Sequence, residues 1–159
     1  MRQTRKGPMW HFGMKLHVGT DRQGLVHHLT GTDAAVADIT QLPALVRGQE
    51  RELFGDQAYW SEDHRVAWQA SGGRYRVNRR GTARRPLTRR QRGLNRRRSP
   101  QRARGEHAFH VVKRLWGFAK VRYRGLAKNL ARAFTMFGLA NLYLVRRRLL
   151  PRGFVPCLT

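Results

Sequence analysis

The sequence predicts an α/β fold, a mixed sheet with flanking helices, and two periodic patterns carry that prediction. Apolar and polar residues alternate over residues 10–18, which is the period of a half-buried strand. Further along the chain, apolar residues recur at spacings of three and four, which is the period of an amphipathic helix. The predicted order is two strands, helix, strand, helix, strand and two closing helices. A length of 159 residues allows about one domain with a single hydrophobic core.

The first half of the chain is predicted to begin with a hairpin and a helix. Residues 25–29 supply the second strand, because turn-forming residues precede them and favour an antiparallel hairpin. A helix is predicted over residues 33–47, with Thr32 or Asp33 as its N-cap and with Pro43 expected to kink or split it. Three histidines of this region are interpreted as hydrogen-bonded sheet residues rather than metal ligands: His17, His27 and His28.

A short strand predicted over residues 50–55 places an acidic residue, Asp56, at its carboxyl end. The strand leads directly into Asp56, and ligands of open α/β sheets gather at the carboxyl ends of strands. Ser61 is expected to cap a helix that runs to residue 70, and a brief strand follows over residues 74–77. Asp56 is therefore the first candidate site residue.

Residues 79–101 are interpreted as an arginine-rich loop. From Arg79 to Arg104 the chain has twelve Arg in 26 residues and no acidic residue, and it has too few apolar side chains for a core. It is either a disordered basic linker or an arm on the phosphate backbone of a nucleic acid, and the two interpretations are compatible. In an arm, each neutralised phosphate steepens the salt dependence of binding by about 0.9. The residues of the arm expected to bind phosphates are Arg79, Arg80, Arg84, Arg85, Arg89, Arg90, Arg96, Arg97 and Arg98.

Two helices are predicted to close the fold. The first covers residues 102–120 and carries Glu106 and Lys113 on one side, two turns apart. The second covers residues 127–149. Its expected core residues are Leu130, Phe134, Phe137, Leu142 and Val145. The resulting division of the chain is 1–78 for the strand-rich core, 79–101 for the loop, 102–150 for the closing helices and 151–159 for a tail.

The charge points to a polyanionic partner. The formal net charge is +24, and 28 of the 33 basic residues are Arg, which favours bidentate phosphate contacts. Composition does not separate a nucleic-acid enzyme from a ribosomal or chromatin protein.

A single cysteine, Cys157, excludes an internal disulfide. No signal peptide is evident, and the apolar stretch 130–145 is shorter than a membrane span and contains Arg132, so a cytoplasmic protein is expected.

Asp56 and Glu106 are the acidic pair that stands out. Glu106 is the only acidic residue after Asp63, and basic residues surround it in the sequence. Two-metal phosphodiester chemistry gathers carboxylates around two divalent ions about 4 Å apart, and carboxylates farther apart than about 8–10 Å could not share such a site. The spacing alone leaves a second interpretation open, in which both residues are structural counter-ions of the arginines.

The motifs resemble those of bacterial insertion-sequence transposases of the DDE class, in the family-five group. The resemblance rests on residues 6–21, on 34–39 in outline, on Gly55-Asp-Gln-Ala-Tyr59, and on 120–126 and 140–142. Its strongest part is residues 102–118, Arg-Ala-Arg-Gly-Glu-His-Ala-Phe-His-Val-Val-Lys-Arg-Leu-Trp-Gly-Phe. The matches follow the chain in order and cover nearly all of it, so together they are more specific than any one motif.

The resemblance implies a partial ribonuclease-H-like fold, with DNA strand cleavage and transfer that depend on Mg²⁺ or Mn²⁺. The family's second Asp falls on Asp56 and its Glu falls on Glu106, as metal ligands and catalytic residues. The Arg and Lys that flank the family's Glu fall on Arg102 and Lys113, which would hold DNA. Expected partners are transposon ends and target DNA at the bacterial nucleoid, and the complete enzyme would be a homo-oligomer.

The first Asp of the family has no counterpart, because no Asp precedes Asp21 and Asp21 falls in the hairpin turn. The first core strand is therefore expected to be missing, together with one metal ligand. Two explanations fit: a second reading frame joined to an upstream polypeptide, or a truncated, decayed copy. A further departure is Ser99, where related signatures carry Tyr. The alternative function is a non-enzymatic basic nucleic-acid-binding protein.

Overall fold

The hairpin predicted near the amino terminus is the centre of a three-stranded antiparallel sheet. The computed structural model describes residues 2–118 and 120–150. Strand β1 (Arg2–Lys6) pairs with the first half of β2 (Met9–Thr20), and the second half of β2 pairs with β3 (Val26–Asp33). The hairpin prediction is confirmed, with both strands longer than expected. Strand β1 was not predicted, because its five residues show no apolar alternation and gain their extended form from pairing with β2.

The helix predicted over residues 33–47 is wrong in its first part. Thr32 and Asp33 pair with Lys15 and Met14 in the sheet, so neither can cap a helix. A 3₁₀ turn at Asp38–Gln41 and a short helix α1 (Leu42–Leu45) follow. Pro43 lies in the first turn of α1, where its missing N–H costs nothing, and this position explains why the helix is split here.

A parallel pair of short strands forms the second sheet. Strand β4 (Glu52–Leu53) pairs with β5 (Arg74–Tyr75), and helix α2 (Glu62–Ala70) connects them. Ser61 is the N-cap of α2, since its hydroxyl accepts a hydrogen bond from the His64 amide, so this prediction is confirmed. Both strands are shorter than predicted, but their order along the chain is as expected.

The predicted loop over residues 79–101 is wrong from Arg89 onward. Helix α3 (Arg89–His110) begins there and continues through Pro100 into the predicted Glu106 helix, ending in a π turn at Val111–Leu115. Thr88 and Gln91 form a reciprocal capping box that starts the helix. Arg has a high helix propensity, and the exposed face of α3 lets its guanidinium groups stay hydrated. A helix therefore forms without an apolar face of its own in this segment.

The last helix, α4 (Leu126–Leu149), matches its predicted limits closely. Its buried face consists of Asn129, Ala133, Phe137 and Ala140. Phe134 and Leu142 were expected in the core but are 53% and 58% exposed, because they lie on the opposite side of the helix. Leu130 packs against the core as predicted.

Two separate hydrophobic clusters share the interior. The first joins Leu29 of β3 to the end of α3, the π turn and α4, with Val112 and Phe137 at its centre. The second joins Leu42 to Tyr75 and Val77 at the end of β5.

The architecture is mixed α/β, as predicted, and the ribonuclease-H-like fold stays a prediction. Within the described ranges, no helix is both long enough and apolar enough to cross a membrane.

Candidate active site between the second sheet and the long helix

Asp56 follows strand β4 and opens a 3₁₀ turn at Gln57–Tyr59. Its Oδ1 atom accepts a hydrogen bond of 2.7 Å from the Gln57 amide, which fixes the carboxylate at the N-cap of that turn. The side chain is 52% exposed. Asp56 lines the cleft beside the strand, at the strand end predicted from the sequence.

Glu106 is carried to the end of the β2–β3 hairpin by close packing of α3. A Cβ on Gly105 would lie 3.2 Å from Thr20 Oγ1, and one on Gly24 would lie 2.8 Å from the carbonyl oxygen of Arg104. Both glycines therefore permit an approach between helix and hairpin that a larger residue would obstruct. The Glu106 side chain is 58% exposed and points into the same cleft as Asp56.

Arg102 joins the two acidic residues. Its Nη1 atom donates a hydrogen bond of 2.8 Å to Glu106 Oε1, one helical turn away, and lies 4.0 Å from Asp56 Oδ2. The two carboxylate oxygens are thus at most 6.8 Å apart, the sum of these two distances. That separation is within the limit of about 8–10 Å for carboxylates that share a two-metal site. Residues fifty positions apart in the sequence meet around one guanidinium group.

A buried hydrogen-bond network holds the segment after Asp56 against β2. His17 is 3% exposed, and its two ring nitrogens lie 3.0 Å from the Tyr59 hydroxyl and 3.1 Å from Thr32 Oγ1. Burial lowers the pKa of His17, and this effect outweighs the charge of Asp38, which raises it. Burial, with the charges of Asp38 and Asp56, raises the pKa of Tyr59 to about 12. The interpretation of His17 as a hydrogen-bonded sheet histidine is confirmed.

Lys113 lies in the π turn that follows α3 and is exposed. Its ammonium nitrogen is 4.9 Å from the centroid of the Phe109 ring, and Phe109 in turn packs edge-on against Phe137. This cation–π contact anchors the lysine to the first hydrophobic cluster. Lys113 therefore lies in the turn that follows the helix of Glu106. Its role in DNA binding stays a prediction.

The predicted arginine arm divides into exposed residues and anchored ones. Arg79 lies over the Trp60 ring, with 4.9 Å between its Cζ atom and the ring centroid. Arg98 is partly buried and donates a 2.8 Å hydrogen bond to the Val77 carbonyl, and burial together with Arg76 and Arg79 lowers its pKa. Arg98 thus connects α3 to the end of β5. The remaining predicted arm residues are exposed: Arg80, Arg84, Arg85, Arg89, Arg90, Arg96 and Arg97.

A cleft of about 880 Å³ runs between the two sheets and contains the acidic pair. Strand β2 and strand β4 form two of its walls, while α1 and the second half of α3 form the others. Five carboxylates and five guanidinium groups line it, so its formal charge is balanced in a chain of net charge +24. The charge balance marks this cleft as chemically different from the basic surface around it.

The carboxylates of the cleft are the right type of ligand for a divalent metal, but too few of them lie close together to form a metal site. Carboxylate oxygens are the ligands that Mg²⁺ and Mn²⁺ prefer. Among the residues that the structure describes, however, no three His, Cys, Asp or Glu side chains come together in a group that could hold a metal ion. Arg102 lies between the two carboxylates that are close together. A complete site therefore needs at least one further ligand and a movement of Arg102.

The comparison with known families identifies the chain. The model of the transposase DDE domain matches residues 1–142, nearly the whole sequence. The chain belongs to this family, and the resemblance to DDE-class transposases is confirmed, while the family-five group stays a prediction. No solved structure matches the chain.

Sequence reasoning named Asp56, Glu106 and Arg102 but missed how they are held in place. The roles of Tyr59 and His17 could not be read from spacing, because their contact joins residues 42 positions apart. The start of α3 could have been predicted from Thr88 and Gln91, which stand three positions apart as a capping box requires. The high arginine content around them favoured the interpretation as a loop instead.

Proposed function

We propose that this chain supplies the Asp56 and Glu106 part of a DDE transposase active site. The family is one of phosphodiester-transfer enzymes that act on DNA. The observation that carries the proposal is the Arg102 bridge, since it brings the strand-end Asp and the helix Glu within 6.8 Å of each other, the sum of its two distances.

In the complete enzyme Asp56 and Glu106 would hold Mg²⁺ or Mn²⁺. The metal ions would activate a water or a 3′-hydroxyl and stabilise the leaving oxygen of the cleaved phosphodiester. Arg102 and Lys113 would bind DNA phosphates next to the carboxylates. On phosphate binding, Arg102 would exchange its Glu106 partner for DNA, which frees the carboxylate for the metal.

The exposed arginines would bind the DNA backbone away from the reacting phosphate. Arg80, Arg84 and Arg85 lie in the segment before α3, and Arg89 and Arg90 lie in its first turn. They are exposed, and residues 79–104 contain no acidic residue to neutralise them. This surface would bind transposon ends and target DNA at the bacterial nucleoid with little sequence preference.

We infer that the polypeptide is inactive alone. If the chain is a second reading frame, the third carboxylate would come from an upstream polypeptide and the complete enzyme would be a homo-oligomer. If the chain is a truncated, decayed copy, no polypeptide would supply that carboxylate. The test is strand cleavage on the ends of the element in Mg²⁺, with this chain expressed with and without the upstream reading frame. Cleavage is expected with both polypeptides present and should disappear in Glu106→Gln. The matched control Glu62→Gln, at an exposed glutamate of α2, should retain it.

One observation favours the alternative, a non-enzymatic basic nucleic-acid-binding protein. Arg102 pairs with both acidic residues, which is also what structural counter-ions would do. On this alternative, the co-expressed polypeptides would show no strand cleavage, and Glu106→Gln would not weaken their binding to DNA. Cleavage by this chain alone that disappears in Glu106→Gln would instead overturn the inference that it is inactive alone.

A further inference from the structure

The apolar face of strand β2 is uncovered over the first half of the strand. Leu16 and Val18 pack against the first hydrophobic cluster, as the alternation over residues 10–18 predicts. Trp10 and Phe12 belong to the same face, because residues two positions apart on a strand point to the same side. Their side chains are nevertheless 64% and 66% exposed, whereas the other three tryptophans are at least partly buried. Two large aromatic rings therefore lie next to each other on the surface.

Trp10 and Phe12 lie on a two-stranded part of the sheet. Residues 9–13 of β2 pair with β1, and β3 pairs with β2 only from Met14 onward. The turn between β1 and β2 contains Gly7, whose φ of 62° favours glycine. The aromatic rings are thus carried by a hairpin rather than by the part of the sheet that packs against α4.

The strand opposite adds a cation and an amide to the same face. Trp10 pairs with Arg5 and Phe12 pairs with Gln3, and directly opposite residues of an antiparallel pair share a face. Arg5 and Gln3 are both exposed. The Arg5 Nε atom donates a hydrogen bond of 3.1 Å to the Gly7 carbonyl, which holds the guanidinium group near the turn. The face therefore combines two aromatic rings with a guanidinium group and an amide.

This combination favours a single-stranded polyanion over an apolar protein surface. Residues 1–20 contain four basic residues and no acidic one, so the hairpin attracts negative charge. Aromatic rings on a basic strand surface bind unpaired bases, since every base has a π face that can stack on a ring. Residues two positions apart on a strand are about 7 Å apart, which suits bases that have been separated from each other. In a duplex the bases are about 3.4 Å apart and already stacked on their neighbours.

We propose that Trp10 and Phe12 form a stacking platform for unpaired bases of single-stranded DNA, with Arg5 on an adjacent phosphate. The platform is separate from the cleft of the acidic pair, where the β2 residues that line the cleft are 16–20. It is also separate in sequence from the arginine-rich segment before α3. The platform goes beyond the proposed function, since base stacking requires neither a metal ion nor the acidic pair.

The test measures base-dependent binding of the full chain by fluorescence anisotropy. The probe is a labelled single strand of about ten thymidines. The matched control is a strand of the same length built from abasic sites, which has the same phosphate charge and no bases. EDTA is present throughout, so no metal-dependent step contributes and failure of the proposed function does not affect the result. At equal salt the thymidine strand should bind about tenfold more tightly, because stacking adds to the phosphate contacts.

Variants of the hairpin assign that difference to named residues. Trp10→Ala combined with Phe12→Ala should remove the preference for the thymidine strand and leave binding of the abasic strand unchanged. Phe134→Ala, at an aromatic residue of α4 that is 53% exposed, should retain the preference. Arg5→Ala should weaken binding of both strands, since both carry the phosphates. Equal affinity of the wild type for the two strands, or a preference that survives the double change, would overturn the platform.

A crosslinking measurement on the wild-type chain decides the question if the double variant fails to fold. A thymidine strand that carries 5-iodouracil is crosslinked to the protein by ultraviolet light, and mass spectrometry locates the crosslink. Crosslinks are expected at Trp10 or Phe12 and should be lost when the complementary strand is annealed. Crosslinks confined to residues 79–98, or equal crosslinking of the duplex, would overturn the platform. Protection of residues 9–12 from hydrogen exchange by a second copy of the chain, without crosslinks there, would show a protein-binding face instead.

Discussion

Arg102 Nη1 lies 4.0 Å from Asp56 Oδ2, and this contact connects the long helix α3 to the end of strand β4. The same nitrogen donates to Glu106, so one guanidinium group sets the geometry of the acidic pair. Both carboxylates are more than half exposed, which keeps them hydrated and open to exchange of partners. A cation in this position holds two negative charges together, and in the proposed function a metal or a phosphate would replace it.

The Arg102 bridge is expected to matter for function more than for stability. The Arg102 side chain is 32% exposed, and its two carboxylate partners are more than half exposed. Ion pairs near a surface contribute about 0–1 kcal/mol, so Arg102→Ala should lower the free energy of unfolding by about 1 kcal/mol. Urea denaturation measures this change. Cleavage by the completed enzyme should fall in the same variant, and a loss of several kcal/mol in stability would show that the arginine is chiefly structural.

The exposed arginines before α3 should determine the salt dependence of DNA binding. Replacing Arg80, Arg84 and Arg85 together by Ala should reduce the slope of log affinity against log salt by about 0.9 for each phosphate that the variant no longer neutralises. Fluorescence anisotropy with a duplex of arbitrary sequence measures the slope. The control with equal loss of charge replaces three exposed arginines elsewhere: Arg114, Arg124 and Arg147. Equal slopes in the two triple variants would contradict a specific role for the arm.

The capping box of α3 should be required for the helical form of its first turns. Thr88→Ala removes the hydroxyl that accepts from the Gln91 amide and should cost about 1 kcal/mol. Amide exchange should become faster over residues 89–95, while exchange in α4 should not change. If exchange over residues 89–95 in the wild-type protein is already as fast as in an unfolded peptide, the segment is a loop, as its composition indicates.

The buried His17 should make stability depend on pH. Burial lowers its pKa in the folded protein below the ordinary value of about 6.5, so the unfolded chain binds the proton more readily. The stabilisation is complete above about pH 6.5 and is lost as the pH falls toward the lowered value. Urea denaturation between pH 7.5 and 5 should therefore show a weaker pH dependence in His17→Gln than in wild type. His107→Gln, at an exposed residue of α3, should leave it unchanged.

Local signals predicted those elements whose own residues determine their structure. The β2–β3 hairpin follows from alternation, and α2 follows from Ser61 at its N-cap. Position and charge context singled out the Asp56 and Glu106 pair. Their role as metal ligands followed only from the family resemblance, since neither spacing nor composition separates metal ligands from counter-ions.

Interactions between residues distant in sequence account for what was missed. Strand β1 is extended because it pairs with β2, and its own residues carry no strand pattern. Residues 89–101 are helical because a cap starts them and Arg98 anchors them to Val77, although they lack an apolar face. The cleft could not be predicted from the sequence, because residues 16–20 of β2 and residues 51–56 around β4, which line it, are more than thirty positions apart.

Metal binding by the completed protein tests the central claim, that Asp56 and Glu106 belong to one metal site. The measurement is Mn²⁺ affinity by electron paramagnetic resonance, with this chain co-expressed with the proposed upstream polypeptide. Asp56→Asn and Glu106→Gln should each weaken Mn²⁺ binding at least tenfold, about 1.4 kcal/mol, and Glu62→Gln should not. Unchanged Mn²⁺ affinity in both carboxylate variants would contradict the claim.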